Sequence, residues 1–434
     1  MNKSERSVKK PDIFSHIIPI YYLSKIIGLA PLSLAYTHDT QGRVKVKLKT
    51  SVFGILHTVL TIMGIIGAQC CVLYFSDKLL IKDERKKKVV NLEFLIDGIA
   101  GVAGLALSLI RIRKQMDELL YKIYVVDGVL NTKYDILKIN EKHLRVQLIS
   151  LISIVFIVYA NDGFVPPFDY SVWIIYVCTT VKIVTIIQFV NLVSLLRQKF
   201  KILNSYLAPA ENPTQRRNDN NLWEIMLQTA HFRNEDNWKD DALHIEAFYQ
   251  AINRRHYSNI IMQDSTNISN QNSWLQKEKL RFRALRIIWD VLCDISSSVN
   301  SMYGLQILFC IVSAFIDITT NLSYSIIKPP SNHQLLSQII WALMQFLLLF
   351  WIAASCSAAS GEANCSVTLL QKLLLLPELH PATSAEIQLF LLQIRERKPK
   401  FTAWGVFTID YKILGSTVGA VATFLVILVQ MQAN

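Results

Sequence analysis

Long apolar runs alternate with polar, basic stretches along this chain, and seven of them approach the roughly 20 residues that a bilayer core requires. They predict membrane-spanning helices at about 51–75, 90–110, 146–163, 171–196, 301–323, 334–357 and 412–432. The segment 13–34 (IFSHIIPIYYLSKIIGLAPLSL) is also apolar, but His16, Lys25 and two prolines interrupt it. That pattern predicts an interfacial or re-entrant helix and an uncleaved amino end.

The polar intervals differ in kind. Residues 197–300 open as a polar continuation of the fourth span (RQKFKILNSYL) and close on a helical pattern (LQKEKLRFRALRIIWDVL). Between these, 212–273 is rich in Asn, Gln, Asp and Arg without a sustained apolar period, which predicts a disordered middle. Beyond the sixth span, VTLLQKLLLL stops near Pro377, and IQLFLLQI at 387–394 precedes a basic cluster at 395–400. Two short amphipathic helices outside a membrane need a surface to cover them. The expectation is a cytoplasmic assembly domain in which neighbouring subunits supply that surface.

The chain divides accordingly: an amino segment 1–50, spans 1–4 over 51–196, a loop 197–300, spans 5–6 over 301–357, anchor helices 358–411 and a last span 412–434. The fold class is all-α, with seven transmembrane helices.

Composition agrees. Hydrophobic residues make up 52% and charged ones 18%, below the quarter usual in soluble domains. The net charge of +12 is explained by topology, so no nucleic-acid partner is expected. Of 45 lysines and arginines, 36 fall in the amino segment and in the 2–3, 4–5 and 6–7 loops, against 7 on the other side. This places the amino end in the cytoplasm and the carboxyl end outside, although Lys86, Lys87 and Lys88 run against it.

The orientation is opposite to that of a G-protein-coupled receptor, and neither a DRY triplet after span 3 nor an NPxxY motif in span 7 occurs. A transporter would show internal repeats or paired Gly/Pro-broken spans, and neither is visible. Seven scattered cysteines and the histidines make no metal pattern, and no nucleophile motif stands out, so no enzyme, metal or cofactor is expected. Cys70 and Cys71 read as buried small hydrophobes.

In the last run, Ser416, Ala420, Thr423, Ile427, Gln430 and Asn434 share one stripe at helical spacing. Such a stripe faces either water in a pore or a packed neighbouring helix. Polar and aromatic side chains also gather in the outer halves of the other spans. They are Asp97 in span 2, Tyr159 and Asp162 ending span 3, Trp173 and Tyr176 in span 4, Asp317 in span 5, and Gln338, Trp341 and Gln345 in span 6. Carboxylates and amides beside flat rings suit a polyhydroxylated ligand. The alternative is an interfacial aromatic belt with satisfied helix contacts, which fits Trp173 well. Asp97 and Asp317 fit it less, because ionisable groups inside spans are costly.

The stretch TFLVILVQM at 423–431 resembles the TYhhhhhQF signature of insect gustatory receptors, where h is hydrophobic. FTAWGVFTID at 401–410 looks like that family's segment before its last span, and YLSKIIGLAP at 22–31 resembles the opening of its fructose-type branch. The resemblance implies a homotetrameric, ligand-gated, non-selective cation channel of the plasma membrane, with no cofactor. In it the last span lines a central pore and each subunit carries its own pocket. Mapped here, Thr423, Ile427 and Gln430 would face the pore and Met431, where the family has Phe, would form the outer gate. Gln338 and Trp341, one turn apart, would hold the agonist. D-fructose is the first choice and an inositol or other small polyol the alternative, ahead of a metabotropic receptor or a transporter.

Overall fold

A computed structural model describes residues 14–38, 44–75, 84–130, 153, 155–156, 158–160, 171–208, 268–327, 332–377 and 379–433. Helix α1 (Phe14–Ile27) is followed by a hairpin of β1 (Leu32–His38) and β2 (Val44–Thr50), then α2 (Val52–Phe75). Helix α3 (Glu84–Leu107) passes through a π-helical turn, Ser108–Ile112, into α4 (Arg113–Leu130). Next come α5 (Ser171–Leu207), α6 (Ile268–Ile327), α7 (Asn332–Leu374) and α8 (Pro381–Glu396). A short hairpin, β3 (Thr402–Ala403) with β4 (Phe407–Thr408), leads into α9 (Lys412–Ala433).

Among the described residues, five helices are long and apolar enough to cross a membrane: Val52–Tyr74, Phe94–Ile123, Ile175–Leu207, Arg281–Ser323 and Asn332–Leu374. Lys412–Ile427 is a shorter apolar helix. Most of the predicted third span lies outside the described residues, as does most of 212–273, of which the last six residues belong to α6.

Several helices run far beyond the bilayer. At 1.5 Å per residue, the 60 residues of α6 extend about 90 Å, three times a hydrocarbon core. Helix α5 lies at the centre, with 78% of its most apolar stretch buried against 11% for α2. Exposed Val52, Phe53, Leu60 and Met63 give α2 a surface suited to lipid. Cys70 and Cys71 lie on it exposed, not buried as expected.

The predicted interfacial segment is a helix followed by a strand, so the fold is not purely helical. Val44, Val46 and Leu48 alternate with Lys45, Lys47 and Lys49, which is the period of a strand, and β2 pairs antiparallel with β1 from Leu32↔Thr50 to His38↔Val44. Gly28, at φ 88°, ends α1 in the left-handed region that glycine occupies freely. The turn is fastened from three sides: Thr58 donates to the Gly28 carbonyl at 2.5 Å, the Ser108 hydroxyl donates to that of Leu29, and Tyr21 donates to that of Leu32 at 2.7 Å.

The carboxyl-terminal ends of α5 and α7 and the amino-terminal half of α6 pack with α8 into one core. Trp289 of α6 meets Phe200 of α5 at 5.1 Å and Phe390 of α8 at 6.3 Å, all three buried. The run VTLLQKLLLL is the end of α7, not a separate helix, and α8 buries Ile387, Phe390 and Ile394 within its own chain. Arg286 pairs with Glu386 at 3.2 Å. After α8, Arg397 reaches Asp290 at 2.6 Å and also pairs with Asp294. Partial burial works against the Arg397 charge, and the two carboxylates outweigh it and raise its pKa.

Candidate ligand site and last helix

Four of the long helices meet around one buried ammonium. Lys182, on α5, is 3% exposed in a helix of apolar neighbours. Its Nζ donates to Asp97 Oδ1 of α3 at 2.6 Å, to Asp317 Oδ2 of α6 at 3.0 Å and to Ser313 Oγ of α6 at 2.7 Å. Ser313 donates to the same Asp97 oxygen at 2.5 Å, and Gln345 Nε2 of α7 donates to Asp317 Oδ2 at 2.6 Å. Both carboxylates are 2% exposed. A buried ion is tolerated only when paired and hydrogen-bonded, and here each is.

Beside this cluster, three rings stack. Tyr159 and Tyr176 lie 4.2 Å apart at 20°, and Trp341 lies 6.0 Å from Tyr159 and 6.1 Å from Tyr176. The Tyr159 hydroxyl shares a hydrogen bond with Thr180 at 3.1 Å. One turn from Trp341 on α7, Gln338 accepts from Ser325 of α6 at 2.5 Å. The structure therefore brings together Asp97, Asp317 and Gln345 in one group and Tyr159, Tyr176 and Trp341 in another. Helix α7 joins them, because Trp341 and Gln345 stand one turn apart. Asp162 lies outside the described residues, as does the side chain of Trp173.

Lys182, Ser313 and Thr180 escaped the sequence reading as site residues. The signal was present: a lone lysine in VCTTVKIVTIIQF demands a counter-ion, and Asp97 and Asp317 were the available carboxylates.

Helix α9 is exposed over most of its surface, the stripe read from the sequence included, and Ser416 and Ala420 of that stripe also line a cleft against α6. Ser416, Ala420, Thr423, Ile427 and Gln430 are exposed, whereas Thr417 and Val421, on another face, are buried. Thr417 and Thr423 satisfy their hydroxyls within the helix, on the carbonyls of Ile413 and Gly419 at 2.8 Å. The side chain of Met431 lies outside the described residues. A cleft of about 490 Å³ separates α6 from the amino-terminal half of α9, lined by Phe315, Ile413, Thr417 and Ala420 among others and by no residue of the polar cluster.

The β3–β4 hairpin couples these two helices. Asn300 of α6 donates to Thr402 Oγ1 and accepts from the Thr402 backbone, both at 2.9 Å. A Cβ on Gly304 would meet the backbone of Trp404 at 3.1 Å and of Thr402 at 3.2 Å, so this close approach favours glycine.

Residues 17–434 match the family described as 7tm Chemosensory receptor. The chain belongs to that family. Among curated proteins, this chemosensory receptor is similar to "Gustatory receptor for sugar taste 43a" of Drosophila melanogaster, 26% identical over 138 residues. That match covers 31% of the receptor and 32% of its relative. "Gustatory receptor 68a" of the same fly is 27% identical over 168 residues, 35% of the receptor and 41% of the relative. The receptor thus spans about a third to two fifths of the curated relatives it matches.

Among solved structures, the receptor is similar in fold to the insect olfactory receptor OR5 from Machilis hrabei. The TM-score is 0.63 at 12% identity, covering 96% of this receptor and 98% of that chain. The same olfactory receptor in complex with eugenol matches with a TM-score of 0.55 at 11% identity and the same coverage. Membership of a chemosensory receptor family places the chain among receptors, not enzymes.

Proposed function

We propose that this receptor is a ligand-gated, non-selective cation channel of the plasma membrane, opened by a small sugar or polyol, with D-fructose the first choice and an inositol next. The observation that carries the channel reading is the stripe of Ser416, Ala420, Thr423 and Gln430, exposed on the last apolar helix of the chain. Small and polar groups on a membrane helix require water or a partner, and four copies arranged about an axis provide a wetted pore. In this reading Thr423, Ile427 and Gln430 line the conduction path and Met431 closes it by dewetting. Seven spans, with the amino end cytoplasmic and the carboxyl end outside, complete the topology.

The agonist site joins the stacked Tyr159, Tyr176 and Trp341 to Asp317, Asp97, Gln345 and Gln338; Asp162 and the side chain of Trp173, expected from the sequence to contribute, lie outside the described residues. Apolar CH faces of a sugar lie on aromatic rings, and its hydroxyls need acceptors and donors. The similarity to a sugar-taste gustatory receptor supports this ligand class. For gating, the agonist must bind the open arrangement better than the closed one.

The test is whole-cell current from cells expressing this chain alone, challenged with fructose, glucose, sucrose and myo-inositol. A fast cation current to one compound, lost in Trp341→Ala, is the expected result. A slow response that requires G proteins would replace the channel reading with a metabotropic one.

A further inference from the structure

Within the buried cluster, the hydrogen bonds leave one oxygen out. Lys182 and Gln345 both donate to Asp317 Oδ2, and Lys182 and Ser313 both donate to Asp97 Oδ1. Asp317 Oδ1 is buried and has no hydrogen-bond partner among the described residues. A buried carboxylate oxygen without a donor is costly, so this atom requires a proton donor from water or from a ligand. Two acidic side chains also share a single ammonium here, so the cluster holds one more acid than base. Gln345 ties that carboxylate to the helix that carries Trp341, one turn away.

We propose that Asp317 Oδ1 accepts a hydrogen bond from one particular hydroxyl of the agonist, so that the receptor selects its ligand as a hydrogen-bond donor at that position. Lys182 is the positioning residue: by occupying Oδ2 it fixes the carboxylate with Oδ1 as the acceptor left over. The ligand class follows from the chemistry. Neutral polyols fit, an ammonium in place of the hydroxyl fits as well, and sugar acids or sugar phosphates would set a further anion beside two acidic side chains that share one ammonium. The inference rests on the proposed agonist site.

The experiment records dose–response curves of the full chain for the active polyol and for its analogues with each hydroxyl replaced in turn by fluorine or by an amine. Fluorine keeps the size of the group but cannot donate. At one position the fluoro analogue should lose roughly tenfold or more in potency while the amino analogue retains it, and a sugar acid should be inactive. In Asp317→Asn that position's extra penalty should disappear.

An active polyol with no donor-specific position, or with the same penalty in Asp317→Asn as in the wild type, would show that Oδ1 is served by water and overturn the inference alone. If no polyol opens the wild-type channel at the cell surface, the agonist reading falls and takes the inference with it. The analogue series on wild-type protein stands even where the variant fails to fold.

Discussion

Lys182 and Asp317 sit 135 residues apart in the chain and 3.0 Å apart in space, with Asp97 closing the bridge at 2.6 Å. Three helices, α3, α5 and α6, are clamped there, and Gln345 adds α7. Removing one partner of a buried ion pair leaves the others uncompensated, at a cost of about 3–5 kcal/mol. Lys182→Met should therefore lower the thermal unfolding temperature of detergent-solubilised receptor markedly. The neutral combination Lys182→Met, Asp97→Asn, Asp317→Asn should recover much of that loss. A single Lys182→Met variant that melts with the wild type would refute the clamp.

The exposed stripe of α9 makes a contrasting prediction. Gln430 is exposed and outside the core, so Gln430→Ala should leave folding and surface expression unchanged. Ion selectivity should shift, measured as the reversal potential in bi-ionic conditions. An unaltered reversal potential with a normal current would place Gln430 away from the conduction path.

The core that α8 forms with α5, α6 and α7 depends on Phe390, fully buried against Trp289. Phe390→Ala should destabilise by about 3–5 kcal/mol through lost transfer energy and a cavity. Assembly and melting should both suffer, read by size-exclusion chromatography and intrinsic fluorescence. Leu392, 56% exposed on the same helix, serves as the control: Leu392→Ala should leave the melting of the isolated chain almost unchanged.

Gly304 lets the β3–β4 hairpin rest on α6. An added methyl would press on the backbone of Trp404 and Thr402, which cannot yield as a side-chain tip would, at roughly 1–3 kcal/mol. Because the hairpin leads directly into α9, Gly304→Ala should shift the agonist concentration for half-maximal current as well as lower stability. Wild-type dose–response and melting curves in this variant would show that the hairpin does not bear on α6.

Hydrophobic period and length determined much of this protein in advance. A run of 20 apolar residues can bury its backbone polar groups in lipid only as a helix, so α2, α5, α7 and α9 were legible without knowing their neighbours. The stripe on α9 was legible for the same reason, since 3.6 residues per turn fixes which side chains align. The β1–β2 hairpin was legible in principle from the alternation of Val44 to Lys49 but was masked by its charge. Tertiary structure alone decided the rest. The lone lysine calls for a counter-ion, but which groups meet Lys182, and that Ser313 joins Asp97 and Asp317, depends on how two other helices cross its own. Likewise, nothing in the apolar run of α8 says that its cover is Trp289 of the same chain, since burial energy is indifferent to where in the sequence the covering surface comes from.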